Sequence, residues 1–288
     1  MVLGQNVEKY PDLVYDVGMH KGEDTAFYLK KGFRVIGFEA DPELASQCRN
    51  RFVDAIDAGK LVIVEGAVME KDYDGDPKIK FYKNLGNSVW GSVNADWASR
   101  NAGLGTQSTV IEVNIVDFSD CIVQFGMPHF MKIDIEGNDT TCLRHLLSFE
   151  VKPDYISIES DKVSYPRVEE EIHLLEKLGY DQFKAVQQTF IHKRGAPTPS
   201  EEGVSVSHQF QLGDSGVFGE DLDGEWRSKR DILRKYKRIF IGYRLIGDDT
   251  MFSKYDFGRS VRYRLENMLG VALPGWYDTH AKHSTVVS

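Results

Sequence analysis

Cysteine is scarce in the 288-residue sequence, and its three cysteines, Cys48, Cys121 and Cys142, show no metal-ligand spacing and cannot all pair. No run of about 18 apolar residues occurs, so no transmembrane helix is predicted. The amino-terminal residues lack the basic and apolar regions of a signal peptide. We therefore expect a soluble protein in a reducing compartment, the cytoplasm, with no membrane insertion.

Clusters of positive charge are also few. The net charge is −9 and no run of Lys or Arg exceeds a few residues, so the electrostatic footprint of a nucleic-acid-binding protein is missing. The basic stretch at 227–238 is predicted to be the solvated face of a helix. Internal repeats are absent as well, which excludes repeat architectures. With 41% hydrophobic residues the chain can bury one substantial core, and we expect a single domain.

Short apolar runs alternate with helical patterns as far as about residue 187. The predicted strands are 13–17, 34–38, 61–64, 79–82, 110–116, 130–135 and 155–158. Helices are predicted before Gly32, at 42–58, after Asp117, at 138–148 and at 167–178. The alternation predicts an α/β fold with a mostly parallel central sheet flanked by helices.

The last third of the chain breaks this pattern. Short strands are predicted at 204–212 and 238–245, and a charged helix at 225–237. We interpret residues 191–288 as an irregular C-terminal elaboration packed on a core at about 10–190.

A glycine turn follows the first strand and has the pattern Asp16-x-Gly18-x-x-x-Gly22. The second strand ends in Glu39, and a carboxylate there can accept hydrogen bonds from both hydroxyls of a ribose. The site is therefore expected to bind an adenosine. An ordinary βαβ unit with a solvated Glu39 is the alternative.

The spacing of this turn discriminates between adenosine ligands. It differs from the G-x-G-x-x-G of dinucleotide folds, in which backbone N–H groups and a helix N-terminus receive a pyrophosphate. Glu23 and Asp24 fall in the first turn of the following helix, where they would repel a phosphate. S-Adenosylmethionine carries a sulfonium and an ammonium against one carboxylate, so the pattern favours it over NAD.

Four predicted strands end in a carboxylate, and open α/β sheets bind ligands outside the carboxyl ends of their strands. These residues are Asp16, Glu39, Asp134 and Glu159. We expect them to converge on one crevice. In an extended strand Lys132, Asp134 and Glu136 would share one face. Burying these three charges is costly unless they pair with opposite charges or take part in binding or catalysis. The alternative is that Lys132 and Asp134 simply neutralise each other, with Glu136 already in the loop after the strand.

Five segments together resemble the FkbM family of S-adenosylmethionine-dependent methyltransferases. They read DVGMHKGEDT, FEAD, HFMKIDIEGND, YISIE and DSGVFGEDLDGEW, and the resemblance spans about residues 13–226. K-I-D-I-E-G is the most specific piece, and His20 stands where the family more often has Asn. The resemblance implies a Rossmann-like class I methyltransferase fold, S-adenosylmethionine as cofactor, and methylation of hydroxyl groups on sugars, polyketides or related natural products.

The resemblance and the residue positions also predict the cofactor contacts. The glycine turn would border the methionine part, Glu39 would hold the ribose, and the end of the third strand would meet the adenine edge. The predicted cofactor-binding residues are Asp16, Gly18, Met19, His20, Gly22, Glu39, Ala40, Asp41, Glu65, Ala67 and Ser88. Ser88 is a candidate for the cofactor carboxylate, and an ordinary turn serine is an equal alternative.

Methyl transfer to an alcohol requires the attacking oxygen to lose a proton, so a carboxylate or histidine is expected beside the sulfonium. Asp134 is the first candidate for this base, and Lys132, Glu136 and Glu159 complete the predicted catalytic group. His208 is an alternative base, although a lone histidine on a strand is more often structural. Asp134, Glu136, Glu159 and Asp161 could also bind Mg²⁺ through oxygen ligands, but their spacing does not demand it and we expect no required metal.

The acceptor is predicted to be a small molecule that contains a sugar. The irregular stretch 84–107 is a candidate ligand loop, and Trp90, Trp97, Trp226 and Trp276 lie in irregular segments where their rings would suit stacking on a sugar or anchoring a core. N- or C-methylation and a catalytically silent cofactor-binding partner subunit are the alternatives, and a nicotinamide enzyme is a distant one. A homo-oligomer is compatible with the sequence.

Overall fold

The computed structural model describes residues 5–95, 99, 105–161, 164–246 and 275–286. The strands are β1 Lys9–Val17, β2 Arg34–Glu39, β3 Leu61–Glu65, β4 Ala67–Val68, β5 Lys78–Asn84, β6 Ser108–Val116, β7 Met127–Ile133, β8 Tyr155–Glu159, β9 Tyr180–Gln187 and β10 Tyr277–His283. The helices are α1 Glu23–Lys30, α2 Pro42–Arg51, α3 Val53–Asp57, α4 Phe118–Phe125, α5 Thr140–Leu146, α6 Tyr165–Lys177 and α7 Lys229–Ile246.

Seven strands form the large sheet, in the order β3-β2-β1-β7-β8-β10-β9, and β4, β6 and β5 form a smaller one. Neighbouring strands of the large sheet are parallel except at β10, which runs antiparallel to β8 and β9. This confirms the predicted α/β class with a mostly parallel sheet. The strand order reverses between β1 and β7, so the carboxyl ends of these two strands border the crevice where such sheets bind ligands.

Different parts of the chain cover the two faces of the large sheet. Leu13, Tyr15 and Val17 of β1 pack with buried residues of α4, α5, α6 and α7. Val14 belongs to the second cluster, with α1 and with residues between 191 and 218. This division follows from the two-residue period of a strand, whose successive side chains point to opposite faces.

Most predicted strands are confirmed within a few residues, but one strand end and one helix differ in the first two thirds of the chain. The strand predicted at 130–135 ends at Ile133, and the chain turns soon after it, where Glu136 has a φ of 51°. The continuous helix predicted at 42–58 is wrong. Phe52 separates α2 from α3, and its ring lies against Gly22.

The last third differs most from its prediction. The strand predicted at 238–245 is wrong, because this segment continues α7. The strand predicted at 204–212 is also wrong, since only an isolated bridge between Gly195 and Gln209 forms there. No helix within the described ranges is both long and apolar enough to cross a membrane.

β10 is a strand that the sequence pattern did not reveal. It lies inside the large sheet, between β8 and β9, rather than packed on it. Its sequence, YDTHAKH, has polar residues where a buried strand normally has apolar ones, and Thr279, His280 and Lys282 are all buried. Lys282 is compensated by Glu220 at 2.8 Å, and Thr279 bonds to the Tyr236 hydroxyl at 2.6 Å.

A buried ion pair ties the segment before α7 to the end of α1. Lys31 Nζ lies 2.5 Å from Asp221 Oδ2, and the two side chains are only 1% and 2% exposed. Ser200 Oγ donates to the same carboxylate oxygen at 2.7 Å, and the Glu201 N–H donates to the other at 2.7 Å. Removing Asp221 would leave the Lys31 ammonium buried without its counter-charge.

We predict that Asp221→Ala lowers the free energy of unfolding by about 3–5 kcal/mol, the usual cost of breaking a buried pair. Asp12→Ala is the matched control, because its ion pair with Arg34 is exposed and should contribute less than about 1 kcal/mol. Urea denaturation followed by circular dichroism measures both variants. Equal losses in the two would contradict a structural role for the buried pair.

Candidate active site

The turn after β1 is held against β2 and β7. The N–H groups of Gly18 and Met19 both donate to the Phe38 carbonyl of β2, at 3.0 and 2.9 Å. Gly18 has a φ of 86°, and a Cβ at this position would lie 1.9 Å from the backbone oxygen of Asp134. Glycine is therefore required for the ends of β1 and β7 to approach this closely.

Glu39 ends β2 beside this turn and is 7% exposed. The His20 N–H donates to its Oε2 and the Asp41 N–H to its Oε1, both at 2.8 Å. A carboxylate offers about four lone-pair sites, so each oxygen retains capacity for a ribose hydroxyl. Burial disfavours the charged form and raises the pKa of Glu39 to about 8, although the two N–H groups act in the opposite direction.

Lys132 is a buried cation at the end of β7. Its Nζ lies 3.3 Å from Asp24 Oδ2, 3.5 Å from Asp16 Oδ1 and 3.7 Å from Asp134 Oδ2. Burial opposes the ammonium charge, but the surrounding carboxylates raise the pKa of Lys132 well above its usual range. Burial also raises the pKa of Asp16 to about 6, against the attraction of Lys132. The positive charge of Lys132 is therefore shared among Asp16, Asp24 and Asp134 rather than paired with Asp134 alone.

The loop after β7 presents Asp134 and Glu136 to the same crevice. Asp139 fastens this loop, because its carboxylate accepts from the Ile135 N–H at 2.8 Å and from the Gly137 N–H at 3.0 Å. Glu136 has a φ of 51°, in the left-handed region that is costly for a residue other than glycine. The strand alternation predicted for this stretch therefore ends before Glu136.

The described part of the predicted ligand loop borders the crevice on both sides. Ser88 Oγ lies 2.8 Å from His20 Nε2, and His20 Nδ1 lies 3.3 Å from Glu23 Oε1. Farther along, Ser92 Oγ donates to the backbone oxygen of Glu136 at 2.7 Å. The segment is thereby attached to the glycine turn at one point and to the loop after β7 at another.

These elements form a cleft. We call it the donor cleft, because the sequence predicts that the methyl donor S-adenosylmethionine binds there, and most of the predicted site residues line it. The predicted residues in its lining are Gly18, Met19, His20, Glu39, Ala40, Asp41, Ala67, Ser88, Lys132, Asp134 and Glu136. Lining residues not predicted as contacts include Glu23, Asp24, Phe81, Lys83, Asn138 and Gly213. Asn138 could have been found from the sequence, because it lies in HFMKIDIEGND, one of the five segments that carry the family resemblance. Lys83 had no local signal, because it lies on β5, far from the glycine turn in sequence, and its Nζ reaches Asp41 Oδ2 at 2.9 Å and Glu43 Oε2 at 2.5 Å.

Five predicted site residues do not line the donor cleft: Asp16, Gly22, Glu65, Glu159 and His208. Asp16 is fully buried beside Lys132. Gly22 precedes α1 with a φ of 75°, so it allows the left-handed backbone of the turn instead of lining the cleft. Glu65 pairs with Arg49 at 2.6 Å.

His208 is part of an aromatic cluster outside the donor cleft. Its ring centroid lies 4.9 Å from that of Phe27 and 5.0 Å from that of Phe210. Burial lowers the pKa of His208. These contacts favour the structural alternative for this histidine over the role of a base.

Glu159 ends β8 and lines a neighbouring cavity. Its carboxylate nevertheless belongs with the acids after β7, because oxygens of Asp134, Glu136 and Glu159 all lie within 4.8 Å of one another. Of the tryptophans, Trp226 packs against Tyr155 with ring centroids 6.0 Å apart, and Trp97 lies outside the described residues.

The donor cleft has the chemistry to hold a cationic nucleoside. Besides Glu39, the part of its lining that the structure describes includes five carboxylates and two lysines, an excess of negative charge that favours a positive ligand over a phosphate. Glu39 offers oxygens for a ribose at one part of the lining. At another, the Asp134 side chain is 39% exposed and accessible to a second molecule.

Comparison with known proteins gives one family. The model of the methyltransferase FkbM domain matches residues 16–182. A search of curated proteins gave no match.

Among solved structures, the precorrin-6y C5,15-methyltransferase from Geobacter metallireducens GS-15 is 12% identical with a TM-score of 0.32, over 72% of this chain and 77% of that chain. A SAM-dependent methyltransferase from Thiobacillus denitrificans, in complex with S-adenosyl-L-homocysteine, is 12% identical with a TM-score of 0.35, over 94% of this chain and 85% of that chain. Similarities this low assign no role to any residue here.

We predict that at about pH 9, where Glu39 is ionised, Glu39→Ala weakens the binding of S-adenosylhomocysteine by about 1.5–3 kcal/mol, the usual scale for hydrogen bonds to a charged group. Glu65→Ala is the matched control, because Glu65 is the register partner of Glu39 on β3 and does not line the donor cleft. Isothermal titration calorimetry measures both. Equal weakening in the two variants would show that the loss is not specific to the ribose position.

The same binding should tighten as pH rises through about 8. Hydroxyl donors favour the ionised carboxylate, whereas burial keeps Glu39 protonated below its pKa of about 8 in the free protein. Between about pH 6.5 and 8.5 the affinity should rise roughly 10- to 30-fold. Glu39→Gln removes the titrating group, so its affinity should stay flat over this range. A wild-type profile as flat as that of the variant would contradict the assignment.

Proposed function

Because the chain belongs to the FkbM methyltransferase family, we propose that it is an S-adenosylmethionine-dependent O-methyltransferase acting on a hydroxyl of a saccharide or a glycosylated small molecule. The observation that carries this proposal is the half-exposed carboxylate of Asp134 on the lining of the donor cleft. An attacking hydroxyl must lose its proton during methyl transfer, and a carboxylate in this position can accept it.

The donor half of the proposal is supported by the electrostatics of the cleft. S-Adenosylmethionine has two positive charges and one negative charge, and the excess of carboxylates in the lining stabilises such a ligand. Glu39 would accept hydrogen bonds from the ribose hydroxyls through its remaining lone pairs. Ala40 and Asp41 follow Glu39 in the lining, where they would flank the adenosyl group.

The acceptor half is supported by the oxygen-rich wall that Asp134, Glu136 and Glu159 form together. Carboxylate oxygens accept hydrogen bonds, so they suit a ligand that brings several hydroxyl donors, as a saccharide does. Orientation of the two substrates can contribute about 7–11 kcal/mol to lowering the barrier, and a general base adds about a 10²–10⁴-fold rate increase. Asp134 would therefore be essential for turnover but not for binding the methyl donor.

We predict that Asp134→Asn lowers the rate of methyl transfer by about 10²–10⁴-fold, because the amide cannot accept the proton. Binding of S-adenosylhomocysteine should be retained. Asp120→Asn, which alters an exposed acid in the first turn of α4, is the control and should have wild-type activity. Unchanged turnover in Asp134→Asn would remove this residue from the mechanism.

The acceptor class is tested with methyl-labelled S-adenosylmethionine and a panel of saccharides, glycosylated small molecules and amines. Label in hydroxyl-bearing sugars supports the proposal. Label only in amines, or in carbon positions, would overturn O-methylation while leaving the methyltransferase assignment intact. Cofactor binding with no transfer to any member of a broad panel would favour the silent partner subunit.

A further inference from the structure

His20 connects the glycine turn to the irregular segment on the other side of the donor cleft. Its N–H donates to Glu39 Oε2 at 2.8 Å, and its carbonyl accepts from Cys48 Sγ at 3.2 Å. Its ring Nδ1 lies 3.3 Å from Glu23 Oε1, and its Nε2 lies 2.8 Å from Ser88 Oγ. His20 has a φ of 51°, a left-handed conformation that is costly for a residue other than glycine. These four contacts together hold the residue in that conformation.

The ring of His20 fixes the direction of two hydrogen bonds. Burial opposes the charge of Glu23, but the hydrogen bond with His20 lowers the pKa of Glu23 below its usual range, so this acid is ionised at neutral pH. An ionised carboxylate only accepts hydrogen bonds, and Nδ1 therefore carries the proton. In the neutral ring Nε2 is then an acceptor, to which the Ser88 hydroxyl donates. Glu23, His20 and Ser88 thus form a chain in which each bond polarises the next.

Ser88 is the end of this chain that a ligand can meet. It lines the donor cleft, and its hydrogen is directed at His20, so its oxygen has only lone pairs to offer a ligand. The charge of Glu23, acting through the polarised bonds, makes this oxygen a stronger acceptor. We propose that Ser88 receives the ammonium group of the methionine part of the methyl donor, and that His20 is the positioning residue that sets the direction of the Ser88 hydroxyl.

This assignment rests on the proposed use of the donor cleft and adds the recognition of the methionine part. Glu39, at the ribose position, is bonded to the backbone of His20, and Ser88 is bonded to its ring. The ribose and the methionine chain of S-adenosylmethionine are joined through the sulfonium. A donor whose ribose lies on Glu39 can therefore extend its methionine chain toward Ser88. The carboxylate of that chain, for which the sequence made Ser88 a candidate, would find no hydrogen there while His20 is neutral.

The experiment is a calorimetric titration of three ligands into the full chain at about pH 8, above the range in which a free imidazole is charged. The ligands are S-adenosylhomocysteine, its analogue without the amino group, and its analogue without the carboxylate. Ser88→Ala should weaken the binding of the two ligands that retain the ammonium about 10- to 150-fold, the scale of a hydrogen bond to a charged group. The analogue without the amino group should bind to Ser88→Ala as it does to the wild type.

His20→Asn tests the positioning role. Asparagine also adopts the left-handed conformation readily, so the turn is retained, while its shorter side chain loses the bond to Ser88. The readout is the Kd of the analogue without the amino group divided by that of the analogue without the carboxylate, because a general loss of affinity changes both equally. This ratio should fall about tenfold or more in His20→Asn and in Ser88→Ala.

Ser119→Ala is the matched control and should keep the wild-type ratio. It breaks another serine–histidine hydrogen bond, between Ser119 Oγ and His145 Nδ1 at 2.7 Å, and neither residue lines the donor cleft.

Three results with Ser88→Ala would overturn the assignment: unchanged binding of all three ligands, equal weakening of all three, or weakening confined to the ligands that retain the carboxylate. The last would show that the hydroxyl faces the carboxylate instead. An unchanged ratio in His20→Asn would remove His20 from the positioning role. In each of these cases, binding of S-adenosylhomocysteine by the wild type leaves the proposed function intact. No binding of S-adenosylhomocysteine by the folded wild type would overturn the proposed use of the cleft together with this assignment.

Discussion

The structure depends on the buried ammonium of Lys132. An isolated ion of this kind costs several kcal/mol to bury, so the fold must bring carboxylates to it. Asp16 comes from the adjacent strand, as its register partner, and Asp24 comes from the first turn of α1. One charge thereby links β1, β7 and α1, and these are the elements that form the floor of the donor cleft. A shift of either strand would separate Lys132 from its partners, so the geometry of the cleft and the register of the sheet are stabilised together.

Around this floor, the cleft is assembled from turns in uncommon backbone conformations. Gly18 allows the turn after β1 to touch the loop after β7, and Glu136 adopts a left-handed conformation in that loop. Hydrogen bonds from Ile135 and Gly137 to Asp139 offset the strain. The rigid sheet thus supplies the positions, while the short loops at its carboxyl edge supply the side chains that meet a ligand.

The sequence predicted the parts of the site that are local in the chain. Glycine spacing, the acid ending β2 and the K-I-D-I-E-G segment placed Gly18, Glu39 and Asp134 at the same edge, because parallel strands present their carboxyl ends together. Contacts made by distant segments had no such signal. Lys83 reaches the cleft from β5, far from the glycine turn in sequence, and β10 is a strand of polar residues whose burial depends on partners elsewhere. The sequence left His208 with two interpretations, an alternative base or a structural histidine, and its aromatic surroundings favour the structural one.

The position of β10 also constrains the order in which the sheet can be completed. β9 ends at Gln187 and β10 begins at Tyr277, yet β10 is the neighbour that joins β9 to the rest of the large sheet. At a synthesis rate of roughly 5–20 residues per second, β8 and β9 leave the ribosome several seconds before β10. During that interval β8 has an open edge and β9 has no place in the sheet, and open edges invite pairing with other chains. The nascent protein is therefore most vulnerable to aggregation late in its synthesis, when most of its core residues have already emerged.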